Sequence, residues 1–148
     1  MIAMTDSRDG TDSTGGARGI THIAPAGVAP GNGYTHVVSG TGRWIAISGQ
    51  VALDAAGEVV GIGDPEAQAA QVFENLRRCL DAAGATFADV VKLTFFVTDA
   101  AHMPAVRKAR DAHLDMSRPP ASTAVQVAAL VRPELLLEIE AYAVLPEN

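Results

Sequence analysis

Two runs toward the C-terminal end constrain this chain most: Arg118-Pro-Pro-Ala-Ser-Thr-Ala-Val-Gln-Val127 and Leu135-Leu-Leu-Glu-Ile-Glu-Ala-Tyr-Ala-Val144. Each is short, aliphatic or β-branched, and bounded by proline, so each reads as a strand. Side chains alternate faces along a strand. Thr123, Val125 and Val127 therefore share one face, and Ser122, Ala124 and Gln126 the other. In the second run Leu137, Ile139, Ala141 and Ala143 oppose Glu138, Glu140 and Tyr142. If the two runs pair, Ser122, Gln126, Glu138 and Glu140 make a polar strip on one surface of a sheet whose other surface is hydrocarbon. That strip is the first candidate for a site.

Upstream, strands and helices alternate. Tyr34-Thr-His-Val-Val38 and Trp44-Ile-Ala-Ile-Ser-Gly-Gln50 read as strands joined by a turn at Ser39-Gly-Thr-Gly42. Asp64-Pro65 opens a helix, with an N-cap acceptor and proline at the first position. Ala69, Val72, Phe73, Leu76, Leu80 and Ala83 give it one apolar stripe, and Gly84 ends it. Val90-Val-Lys-Leu-Thr-Phe-Phe-Val97 alternates as a strand, and Asp99 caps a second helix over about 101–116. Pro119-Pro120 forbids its continuation. The order β-β-α-β-α-β-β predicts an α/β (α+β) subunit: a mixed sheet with two helices on one face. The other face, with Trp44, Ala46, Ala124, Leu136, Tyr142 and Val144, lacks cover from its own chain and calls for a partner subunit.

Residues 1–19 are rich in Gly, Ser, Thr and Asp without apolar period, and predict a disordered tail ahead of a single domain at 20–148. The net charge of −6 disfavours phosphate backbones, so no nucleic-acid partner is expected. The single cysteine, Cys79, excludes an internal disulfide and falls near the helix stripe as a packed small hydrophobe. No signal peptide and no apolar run of about 20 residues is present, which reads as a soluble cytoplasmic protein with no membrane partner. His22, His36, His102 and His113 lack metal-ligand spacing and read as structural or surface residues. No phosphate loop or dinucleotide fingerprint occurs.

Ser48-Gly-Gln50, Leu80-Asp-Ala-Ala-Gly84, Asp89-Val-Val-Lys-Leu-Thr-Phe-Phe-Val-Thr-Asp99, Pro120-Ala-Ser-Thr-Ala-Val-Gln-Val127 and Glu138-Ile-Glu-Ala-Tyr-Ala-Val144 follow in this order. Together they resemble the RidA/YjgF family, also called the L-PSP endoribonuclease family, over about residues 33–145. The resemblance implies a chorismate-mutase-like subunit assembled as a homotrimer, with small-molecule clefts between neighbours. It implies hydrolysis of reactive imines and enamines to a carbonyl product and ammonia, without cofactor or metal.

The family's pocket tyrosine corresponds to Tyr34, its serine before Gly-Gln to Ser48 and its water-positioning glutamate to Glu138. Its carboxylate-binding arginine corresponds to Ser122, followed by Thr123. A serine hydroxyl neither neutralises a carboxylate nor forks onto it, and such a loss in a closed site costs about 2–5 kcal/mol. Either Arg107, where the family often has asparagine, supplies the cation, or the substrate differs and Ser122 and Thr123 contact it as hydroxyls. Each residue also has a plain structural reading. Glu138 is a general acid/base or a backbone-bonded strand carboxylate; Tyr34 closes the pocket or anchors its loop. Ser48 holds substrate or is merely small, and Arg107 clamps a ligand or faces solvent. Glu140 reads as a structural hydrogen-bonding residue. The function that follows is a RidA-like deaminase, with a non-catalytic trimeric small-molecule-binding protein as the alternative. Ribonuclease action is disfavoured by the net charge.

Overall fold

The computed structural model describes residues 12–15 and 19–147. In chain order the elements are β1 (Asp12–Gly15), β2 (Ile20–Ala24), β3 (Val37–Gly40), β4 (Arg43–Gln50), α1 (Pro65–Ala82), β5 (Val90–Val97), α2 (Met103–Asp111), β6 (Ala121–Gln126) and β7 (Leu137–Leu145). The main sheet runs β4-β7-β5-β6, mixed, and β1-β2-β3 form a second, antiparallel sheet. The two helices cover one face of the main sheet, as the sequence pattern predicts.

α1 forms for the reasons its sequence gives. Asp64 Oδ1 accepts from the Ala67 amide at 3.1 Å, and Pro65 starts the first turn. Ala69, Val72, Phe73, Leu76 and Leu80 are all buried, against Ile45, Ile47, Leu93, Leu137 and Ile139 from the sheet. Gly84, at φ 76°, turns the chain left-handed, and the Ala85 amide returns to the Leu80 carbonyl at 2.9 Å. Gln68 is the polar exception in this core. Its Nε2 donates to the Gly61 and Glu134 carbonyls at 3.0 and 2.9 Å, and its Oε1 accepts from the Leu136 amide at 2.9 Å. One fully paired amide thus ties two loops to the helix.

Four sequence expectations are corrected. β6 and β7 do not pair: β5 lies between them, parallel to β6 and antiparallel to β7. The connection through α2 returns β6 beside β5 in the same direction, as a helical crossover does. The strand expected at Tyr34–Val38 covers Val37–Gly40 instead, leaving Tyr34 in a loop. α2 stops at Asp111, well short of Met116; Leu114 is buried from the turn that follows, and Asp115 caps Ser117 at 3.0 Å. The open face is also partly covered by its own chain, because Ile20 packs on Val91 and Val144 and buries all three. Within the stretch expected to be a tail, Asp12–Gly15 pair in register with β2, while 1–11 and 16–18 lie outside the described residues.

Candidate functional site

Glu138 holds a seat made for it by a bulge. Between Ile47 and Gln50 the β4–β7 pairing loses register, and Gln50 Nε2 turns back to the Ser48 carbonyl at 3.0 Å. The bulge lays the Glu138 carboxylate over Gly49. A Cβ there would come within 1.9 Å of Oε1, 2.7 Å of Cδ and 2.9 Å of Cγ, so only glycine leaves room. Glu138 is half-buried, stands beside Phe96 of β5, and makes no hydrogen bond or ion pair with the described residues. The expected backbone bond is therefore absent among them, and both oxygens are free to accept from a water or a ligand. Glu140, beside Thr94, likewise lacks the structural hydrogen bond expected of it among the described residues. Ser48 is exposed and lines a cavity of about 410 Å³ with Ala46, Gln50 and Cys79.

A second group forms at the opposite edge of the sheet. The loop carrying Tyr34 is pinned on both sides. The Thr35 amide donates to the Pro120 carbonyl at 3.1 Å and its hydroxyl to the Pro119 carbonyl, while Arg110 Nη1 donates to the Gly33 carbonyl at 3.3 Å. The Tyr34 ring meets His36 edge-on at 5.1 Å. Ser122 follows Pro120 by two residues and is half-buried beside Leu93, on the helix-covered face. Gln126 shares that face and accepts from the Ala100 amide at 2.9 Å. The polar strip expected from Ser122, Gln126, Glu138 and Glu140 therefore does not exist. Thr123 takes the open face, where its Oγ1 accepts from Lys92 Nζ at 2.6 Å. Arg107 is exposed on α2 and pairs with none of the described residues.

One chain thus brings together Glu138, Gly49 and Ser48 along β4, and separately Tyr34 and Ser122 along β6. Ser122 aligns with Leu93 and Glu138 with Phe96, across one intervening strand. At usual strand spacing and rise their Cα atoms are roughly 14 Å apart, on opposite faces. Because β4 and β6 are the two edges of the sheet, no single chain closes a site around all of these residues.

Three groups escaped the sequence reading. Gly49 interrupts a strand pattern, which marks a bulge or a close approach. Arg110 lies four residues beyond buried Val106, on the inward side of α2, whereas Arg107 does not. Arg118 is half-buried, and its Nη2 reaches the Ile20 carbonyl at 3.4 Å and His22 Nδ1 at 3.2 Å. Burial, then the Arg118 charge, lowers the His22 pKa from its ordinary 6.5. His113 is structural, stacked on Phe73 at 5.3 Å. Among the described residues no cluster of three His, Cys, Asp or Glu could hold a metal, and no helix is long and apolar enough to cross a membrane.

A sequence model of the Endoribonuclease L-PSP family matches residues 24–145. The chain belongs to this family, the RidA/YjgF group. It is 37% identical over 127 residues to a RutC family protein of Synechocystis, covering 85% of this chain and 94% of that protein. It is 41% identical over 125 residues to the 2-iminobutanoate/2-iminopropanoate deaminase of Mus musculus, covering 84% and 87%. A solved structure of a Rid family protein of unknown function from Yersinia pestis superposes with a TM-score of 0.77 at 40% identity, over 86% of this chain and 99% of that one.

Proposed function

We propose that this protein hydrolyses a small reactive imine or enamine to a carbonyl compound and ammonia, in clefts between three copies of the chain. The observation that carries the reading is the Glu138 carboxylate, seated on Gly49 at an edge strand with no partner among the described residues. The relation to a mouse protein named as a deaminase of 2-imino acids supports the same chemistry. The split of the site residues between β4 and β6 supports a cleft completed by a neighbouring copy, Glu138 and Ser48 from one and Tyr34 and Ser122 from the next.

The reaction asks little of such a site. Glu138 takes a proton from water as its oxygen attacks the imine carbon, giving a carbinolamine. It then delivers that proton to nitrogen. The C–N bond breaks, ammonia leaves with the bonding pair, and the hydroxyl oxygen closes to the carbonyl as its proton returns to solvent. Tyr34 and Ser122 supply hydroxyls that orient the substrate.

A second reading, binding without turnover, is favoured by Ser122, which stands where the family resemblance implies an arginine. Ammonia release from enzymatically generated 2-iminopropanoate, compared with Glu138→Gln, separates the two. The deaminase is expected to beat the uncatalysed rate and to lose about 10²- to 10⁴-fold in the variant. A wild-type rate equal to the uncatalysed one, with a ligand that raises the melting temperature and is recovered unchanged, makes it a binding protein instead.

A further inference from the structure

Resting on the deaminase reading, we infer that Arg110 supplies the cation that holds the anionic end of the substrate, so that the substrate class is a 2-imino carboxylate despite Ser122. The argument begins with position. Arg110 is held inward by α2, its side chain only 14% exposed, whereas Arg107 is exposed. Its Nη1 donates to the carbonyl of Gly33, the residue before Tyr34. On the other side of Tyr34, Thr35 bonds to Pro119 and Pro120. Ser122 lies two residues further on, about 7 Å along an extended strand. Tyr34 is therefore bracketed by Arg110 and by the strand that carries Ser122, and the three converge on one end of the sheet.

Packing at Gly33 supports the same placement. Gly33 has φ 78°, and a Cβ there would lie 3.2 Å from Arg110 Nη1, so the guanidinium lies flush against the loop. A left-handed residue without a side chain lets the cation approach the tyrosine loop that closely.

Chemistry supplies the last step. A guanidinium has five N–H donors. In Arg110, Nε and Nη2 point to Asp111 Oδ1 at 2.8 Å, and Nη1 to Gly33. Donor capacity remains on Nη1 and Nη2. Asp111 is 53% exposed, so water screens its charge, while the guanidinium edge nearer Tyr34 stays in the drier environment. A cation in that setting binds a carboxylate better than the hydroxyl of Ser122 can. The charge lost from β6 is thus returned from α2, on the same side of the sheet.

The test measures binding, so it stands apart from turnover. Calorimetric affinities are taken for 2-oxobutanoate, a stable product analogue, and for its neutral amide, with wild type, Arg110→Lys, Arg110→Met and the surface-charge control Lys108→Met. Wild type and the control are expected to prefer the carboxylate. Arg110→Met is expected to lose about tenfold or more of carboxylate affinity while amide affinity holds, and Arg110→Lys to recover part of the loss. Adding Ser122→Arg to Arg110→Met is expected to restore the preference. Equal loss of both ligands would show that Arg110 only props the loop, and no loss, or no carboxylate preference in wild type, would equally overturn the inference. Carboxylate-selective binding without ammonia release would instead sink the deaminase reading and leave Arg110 in place.

Discussion

Replacing Gly49 by alanine is the sharpest perturbation the structure offers, because it touches Glu138 and little else. Gly49 is not among the glycines with positive φ, so alanine fits its backbone. The added Cβ falls 1.9 Å from Glu138 Oε1, and Cβ contacts under 3.0 Å essentially never occur. The carboxylate must retreat by about 1 Å, and misplacing a catalytic group by that much lowers the rate about 10²-fold. Folding is expected to survive, since Glu138 can swing outward from a half-exposed position and alanine slightly restricts the unfolded chain. The assay is ammonia release from 2-iminopropanoate alongside a thermal melt, for Gly49→Ala, Glu138→Gln and the double variant. Each single variant should lose about two decades or more of kcat with little change in Tm. The double variant should be no worse than the poorer single, because both changes disable one group. Full activity in Gly49→Ala would show that Glu138 does no chemistry from this seat.

Two further outcomes follow from titration. Hydrogen bonds from Arg77 and then Arg78 hold the Glu74 carboxyl at about 2, down from 4.5. A depressed carboxylate stabilises above its unfolded value, so the Tm advantage of wild type over Glu74→Gln should hold above pH 4.5 and shrink as pH falls toward 2. High salt should shrink it too, since the pairs are exposed, and a gap that widens in acid would contradict the assignment. His22 has its pKa lowered from 6.5 by burial and Arg118, so its contribution is full above pH 6.5 and declines below it. Melts from pH 8 to pH 5 should show wild type losing ground to His22→Gln only below about 6.5, and parallel curves would refute the contact.

Periodicity told which face a side chain takes, and it did so well where one face is buried. β5 alternates as its residues demand, and α1 begins at Asp64 and ends at Gly84 as its capping residues require. Periodicity is silent on neighbours. Nothing in Ala121–Gln126 or Leu137–Leu145 says that β5 separates them, and that one fact moves Ser122 away from Glu138. The strand at Asp12–Gly15 was illegible because its pairing with β2 is carried by backbone bonds, which composition does not encode. Thr123 was placed among hydroxyl contacts, but its partner Lys92 is thirty-one positions away and unforeseeable from spacing. Arg107 and Arg110 differ only in helical phase, and the inward phase belongs to Arg110.

The account's central claim is that one catalytic cleft draws Glu138 from one copy and Tyr34 from the next, and mixing two inactive variants tests it directly. Glu138→Gln and Tyr34→Ala are purified, unfolded together in equal amounts, refolded, and assayed for ammonia release. If the cleft is shared, random assembly places an intact Glu138 opposite an intact Tyr34 in about a quarter of the clefts, and activity should return to about a quarter of wild type. A mixture no more active than its separate components would show that each chain works alone and contradict the account.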